Sequence, residues 1–156
     1  MSGLEGDPGE TTVWPVRRFI YAVIVERGTP PSVEETAQAL GLTVEDARKA
    51  FRQLHERHAI FLEPVPDPVA VRMAHPFSGA PTPFRVQAGG VGYWANCAWD
   101  ALGIPAALGK NATIEAAYAD DGQPAAIAVN DGRLAGDGVV HFLVPFRRLY
   151  DDLVFT

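Results

Sequence analysis

The sequence predicts an α+β chain: an N-terminal winged-helix-like three-helix module, followed by an antiparallel-sheet domain with a short helix carrying Cys97. Three observations predict it. Apolar residues recur at three- and four-residue spacing over residues 14–26 and again within 43–57, as the buried stripes of helices do. Beyond residue 110 the period shortens to two around Asp121-Gly122 and Asp131-Gly132, dipeptides that turn hairpins. Between these regimes lies HPFSGAPTPFRV, rich in Pro and small residues, which reads as a linker over residues 74–88.

Composition narrows the function classes. The chain has 156 residues and a formal net charge of −6, enough for one domain or for a small helical module joined to a mixed one. With 47% hydrophobic residues and scattered charges, most of it is expected to fold and stay in solution. Nucleic acid is not an expected partner, because phosphate binding needs a concentration of Lys and Arg that an acidic chain lacks. No apolar run approaches the roughly 20 residues of a membrane helix, and MSGLEGDPGE has neither the basic nor the apolar region of a secretion signal, so a cytoplasmic protein without a membrane partner is expected. The single cysteine fits a reducing compartment and leaves Cys97 as either a free buried thiol or a reactive one.

Taken in order, residues 1–12 show no periodicity and are expected to form a disordered tail. Val16, Phe19, Ile20, Val23 and Ile24 give the first helix its stripe, and Gly28 with Pro30-Pro31 ends it. Ser32 and Glu35 form a capping box for a second helix reaching Gly41. Thr43 caps a third, running to about Arg57, with Ala47, Phe51 and Leu54 inward. Two short apolar runs around a Pro-rich turn follow, as a β-wing would, so residues 13–73 read as the winged-helix-like module. Arg48, Lys49, Arg52 and Arg57 on the third helix are nearly cancelled by Glu45, Asp46 and Glu56, which weakens a DNA-binding reading without removing it.

Residues 89–156 form the second domain. Gly89, Gly90 and Gly92 make a flexible turn, a helix runs from about Tyr93 to Leu102 and stops at Gly103, and Pro105–Leu108 makes a further short turn ended by Gly109. ATIEAAYA and PAAIAVN pair around Asp121-Gly122, and GVVHFLVPF is the expected third strand. The chain ends on the strand-like RRLYDDLVFT, which suggests an element continuing past Thr156.

Cys97 is where the chemistry concentrates. At about 1.5 Å rise and 3.6 residues per turn, Cys97 and Asp100 lie on one helix face and can approach a common ligand. A helix N-terminus favours the thiolate, while a nearby carboxylate disfavours a second negative charge, so sulfur and oxygen can share one proton. A depressed thiol pKa and rapid alkylation are expected of a reactive Cys97. A small buried hydrophobe is the competing reading.

The stretch YWANCAWDALGIPAALGKNATIEA, followed by DGQPAAIAV, resembles the core of the alkylmercury lyase (organomercurial lyase) family, whose pattern is aromatic-x-x-C-x-x-D-x-L-x-x-P-x-x-x-G ahead of a hairpin. The likeness covers roughly residues 84–156, and the family also carries a winged-helix-like N-terminal module. It implies that Cys97 is the attacking thiolate and mercury ligand, and that Asp100 is the acid that delivers a proton to carbon. It implies no cofactor, an organomercurial substrate, a detoxifying role, and mercuric reductase as acceptor of the ion. The family mechanism also uses a second cysteine farther along. Here its place falls at or just beyond Thr156, and a small-molecule thiol such as glutathione or cysteine is the other source of that sulfur. Other readings of the residues are a winged-helix DNA-binding regulator and a thiol-based protein that binds metals or electrophiles without catalysis.

Remaining candidates carry less. His75 and His141 lack partners at ligand spacing and read as linker and strand residues. His55 and His58 suit the C-terminal end of the third helix. Asp151-Asp152 reads as a solvated turn, and Trp94 and Trp99 read equally as pocket lining or core. The glycines at 89, 90 and 92 lack the strand and spacing of a nucleotide fingerprint.

Overall fold

The computed structural model describes residues 8–66, 68–142 and 148. The chain divides into two units, Met1–Ala74 and His75–Thr156.

In the first unit, α1 (Pro8–Arg27), α2 (Val33–Leu40) and α3 (Val44–Glu56) precede two short antiparallel strands, β1 (Phe61–Leu62) and β2 (Val71–Ala74). Helices α2 and α3 begin where a side chain supplies the acceptor that helical N–H groups lack. Ser32 Oγ accepts from the Glu35 N–H while the Glu35 carboxylate accepts from the Ser32 N–H, closing the expected capping box. Thr43 accepts from the Asp46 N–H. Gly41 ends α2 at φ 65°, in the left-handed region where a Cβ is unfavourable. The Arg27 guanidinium donates to both Glu35 oxygens, at 2.9 and 2.8 Å, tying the end of α1 to the start of α2. Val13, Val16, Ile20 and Ile24 from α1 and Ala47, Ala50, Phe51 and Leu54 from α3 are buried. Phe19 and Val23 sit half-buried at the margin of that stripe.

The second unit contains β3 (Phe77–Ser78), β4 (Arg85–Ala88), β5 (Val91–Ala95), α4 (Ala98–Leu108), β6 (Ala112–Ala117), β7 (Pro124–Asn130) and β8 (Arg133–Ala135). Its antiparallel strands lie in the order β3-β5-β4-β6-β7-β8. The period-two pattern decides which side is dry. Val86 pairs with Tyr93 and with Ile114, and all three are buried, as are Ala88 and Ala112 beside them. The alternate positions Arg85, Gln87, Trp94, Thr113 and Glu115 form the opposite face. Helix α4 packs on β4, β5 and β6 through Ala101, Ile104 and Pro105.

Several expectations are corrected. Residues 8–12, expected as tail, are helical, and Pro8 suits a first helical turn because it has no N–H to leave unsatisfied; residues 1–7 lie outside the described residues. The expected linker over 74–88 contributes β3 and β4 to the sheet. Tyr93–Ala95 belongs to a strand, because Tyr93 and Ala95 alternate inward against Val86 and Phe77 while Trp94 faces away. Helix α4 passes through Gly103 without stopping and ends at Gly109, whose φ of 60° forms the cap. The third hairpin strand is Arg133–Ala135, directly after the Asp131-Gly132 turn. Residues 138–142 of the expected GVVHFLVPF strand are irregular, and 143–147, like 149–156 with Asp151 and Asp152, lie outside the described residues. The hairpin around Asp121-Gly122 is as expected, with Ala112–Ala117 paired to Pro124–Val129. Among the described residues, no helix is long and apolar enough to cross a membrane.

The Ser32→Ala variant is expected to lose about 1 kcal/mol of stability in chemical denaturation. The Arg27 hydrogen bonds hold the Glu35 carboxyl at about 2, below its ordinary 4.5. A depressed carboxyl stabilises above its unfolded value, so the stability gap between the wild type and Glu35→Gln is expected at neutral pH and should fade as pH falls from 4.5 towards 2.

Candidate functional site

Strand β5 hands the chain to α4 across two residues, Asn96 and Cys97, and that junction is where the reactive groups meet. Its backbone is anchored before the helix starts. Ala95 N–H donates to Phe84 O at 3.0 Å, and the Thr82 hydroxyl donates to Ala95 O. Cys97 then takes the N-cap position with an extended backbone at φ −150°, and its carbonyl accepts the first helical bond from Ala101 at 2.9 Å. Asp100 is therefore the N3 residue. Cys97 and Asp100 repeat the relation of Ser32 and Glu35, with a thiol in place of the hydroxyl.

The N3 carboxylate is turned towards the N-cap side chain. Cys97 Sγ donates to Asp100 Oδ2 at 3.7 Å, a sulfur hydrogen bond that realises the expected same-face approach. Asn96 Nδ2 donates to the same oxygen at 3.2 Å and to Phe77 O at 3.3 Å. The amide cannot be turned over, because its oxygen would then face two acceptors. Asn96 Oδ1 is buried with no hydrogen-bond partner among the described residues. His75 Nδ1 approaches Asp100 Oδ2 to 3.5 Å, the His75 side chain being 38% exposed and Asp100 only 14%. Three neighbours thus converge on one carboxylate oxygen.

The electrostatics differ from expectation. Burial pushes the half-buried Cys97 thiol up, and the Asp100 charge and the S–H···O bond push it further the same way. The N–H groups of Asp100 and Trp99 at the start of α4 act in the opposite direction, yet none closes a capping hydrogen bond to sulfur. Desolvation prevails, so the expected depression of the thiol is reversed: the resting group is S–H, with its acceptor already in place. Among the described residues there is no group of three or more His, Cys, Asp or Glu side chains that could hold a metal ion.

Other sequence candidates fall elsewhere. Trp94 lies on the sheet face away from the core, with the Arg85 guanidinium 4.4 Å from its ring centroid. Gly92 leaves room for that guanidinium, since a Cβ there would collide with it. Trp99 is 60% exposed and meets Phe142 at 6.0 Å between ring centroids, so it is not core. His141 is exposed and irregular, and His55 and His58 pack around Phe61 in the first unit. His75 and Asn96 were not legible as site residues. The one local signal was the polar Asn96 in an otherwise apolar run beside the cysteine.

Residues 77–151 match the family model of MerB, alkylmercury lyase. The resemblance to the alkylmercury lyase family holds. The matched stretch contains β3, the Asn96–Cys97 junction, Asp100 and the hairpin of β6 and β7. Among solved structures, the crystal structure of the mercury-bound form of MerB2 is similar at a TM-score of 0.63 and 24% identity, over 79% of this chain. The chain covers 58% of that one, and the likeness establishes a shared α+β fold. A comparison with curated proteins gave no match.

Alkylation by iodoacetamide gives a direct reading of the Cys97 electrostatics. At neutral pH Cys97 is expected to react more slowly than an ordinary exposed thiol. Asp100→Asn, which removes a charge that opposes the thiolate, should speed it several-fold, measured by mass spectrometry of quenched samples.

Proposed function

We propose that this protein is an organomercurial lyase-like enzyme that cleaves carbon–mercury bonds by protonolysis, with Cys97 as the thiolate and mercury ligand and Asp100 as the proton shuttle. The observation that carries this reading is the 3.7 Å approach of Cys97 Sγ to Asp100 Oδ2, inside a stretch that matches the alkylmercury lyase family. The chemistry follows from softness and charge. Mercury in an R–Hg–X substrate is a soft Lewis acid and prefers sulfur. As the S–Hg bond forms, the thiol proton passes to Asp100 Oδ2 and X leaves with its electron pair. A second thiolate then adds to mercury as a further sulfur ligand, which loads electron density onto the metal and makes the bound carbon more basic. The Hg–C bond breaks with its electron pair on carbon, carbon takes the proton from Asp100, and R–H departs while mercury stays on sulfur. Every proton used is one the site already holds, so no resident cofactor is required.

A raised thiol pKa suits this sequence. The proton needed at carbon is kept on the sulfur until mercury binds there and displaces it, and Oδ2, the acceptor of the S–H, receives it. In this proposal the second sulfur comes from a cysteine beyond Thr156 or from a small-molecule thiol such as glutathione or free cysteine, and mercuric reductase is a candidate acceptor of the ion. A cytoplasmic, detoxifying role is part of the same proposal.

With phenylmercury and excess thiol, the wild type is expected to release benzene, followed by gas chromatography. Cys97→Ala and Asp100→Ala should each lower the rate on the order of 100-fold or more. Benzene formation that persists undiminished in Cys97→Ala would remove the proposal.

A further inference from the structure

Oδ2 of Asp100 must do two things in the proposed reaction: take a hydrogen from sulfur and then offer it to a carbon bound to mercury at that sulfur. A carboxylate free to rotate about its own side-chain bonds would spend much of its time elsewhere, and a displacement of about 1 Å is enough to slow a proton transfer severely. The groups around it are arranged against such rotation. Asn96 holds Oδ2 from one side at 3.2 Å and is itself locked by Phe77 O. His75, contributed by the residues just before β3, stands 3.5 Å from the same oxygen. That separation is longer than a good N–H···O bond, and catalytic contacts of this kind commonly tighten once substrate is bound.

The chemistry fixes which way the hydrogen points. An ionised carboxylate can only accept, so an imidazole nitrogen facing it must carry the proton. From this geometry we propose that His75 is a positioning residue for Asp100: its Nδ1–H donates to Oδ2 and, together with Asn96, pins the carboxylate against the Cys97 sulfur. The inference rests on the lyase reading for its catalytic meaning, while the contact itself stands apart from it. In this role His75 acts through Asp100.

Two measurements test it. In the turnover assay with phenylmercury, His75→Ala should lower kcat roughly 10-fold while KM changes little. His75→Asn should recover most of the rate, because its amide nitrogen falls near the place of Nδ1, whereas His75→Gln should not. Asparagine cannot ionise, so recovery assigns a hydrogen-bonding role and rules out a proton relay through the ring. The second measurement needs no turnover. Nitrogen-15 correlation spectra of the imidazoles should show the His75 ring hydrogen at Nδ1 in the wild type and shifted towards the Nε2–H form in Asp100→Asn. A His75→Ala enzyme with wild-type kcat, a His75→Asn enzyme no better than His75→Ala, or a His75 ring indifferent to Asp100→Asn would each overturn the inference. A wild type that turns over no organomercurial defeats the lyase reading instead, and the spectra still decide whether His75 holds Asp100.

Discussion

One carboxylate oxygen, Oδ2 of Asp100, organises the site. It accepts from Asn96 and from the Cys97 thiol, and His75 approaches it as well. That convergence depends on a backbone constraint: Cys97 must be the N-cap residue of α4, because only then is Asp100 the N3 residue, one turn on and facing back. The fold supplies this by pairing β5 with β4 up to Trp94 and with β3 up to Ala95, and by starting the helix three residues later at Ala98. The same N-cap and N3 relation occurs at Ser32 and Glu35, where it serves stability. With a thiol in place of the hydroxyl, no side-chain cap hydrogen bond forms, and the N-cap group instead donates to the N3 carboxylate.

Competing electrostatic effects then set the resting state. Helix amides favour the thiolate, and a reading from position alone weights them heavily. Burial and a carboxylate in contact oppose them and prevail, so the sulfur keeps its hydrogen. In the proposed lyase reaction this outcome couples capture to cleavage, because mercury binding to sulfur releases the proton that the later step consumes.

Much of the fold was written in local patterns. Ser32 with Glu35, Thr43, Gly41 and Asp121-Gly122 each act through neighbours within a few positions, so their roles follow from spacing. The approach of Cys97 to Asp100 followed from spacing in the same way. The misreadings share a different cause. A short apolar run such as Tyr93–Ala95 satisfies helix and strand periods alike, and only pairing with β3 and β4 decides between them. Gly103 and Pro105 look like helix stops, yet Gly103 lies close against Pro76 and Pro105 is buried in the packed face of α4. His75 lies far from Asp100 along the sequence and meets it through tertiary structure, which no spacing rule reports. The thiol's shift depends on burial, which is likewise a property of the folded chain.

Trp99 has a further consequence. It stands two residues from the sulfur, in the first turn of α4, with most of its indole in water and Phe142 as its aromatic neighbour. A wet indole of that size is an oily lip on an otherwise acidic protein. Transfer of such a ring out of water is favourable, so an apolar surface covering it would be held mainly by hydrophobic burial, which responds only weakly to ionic strength.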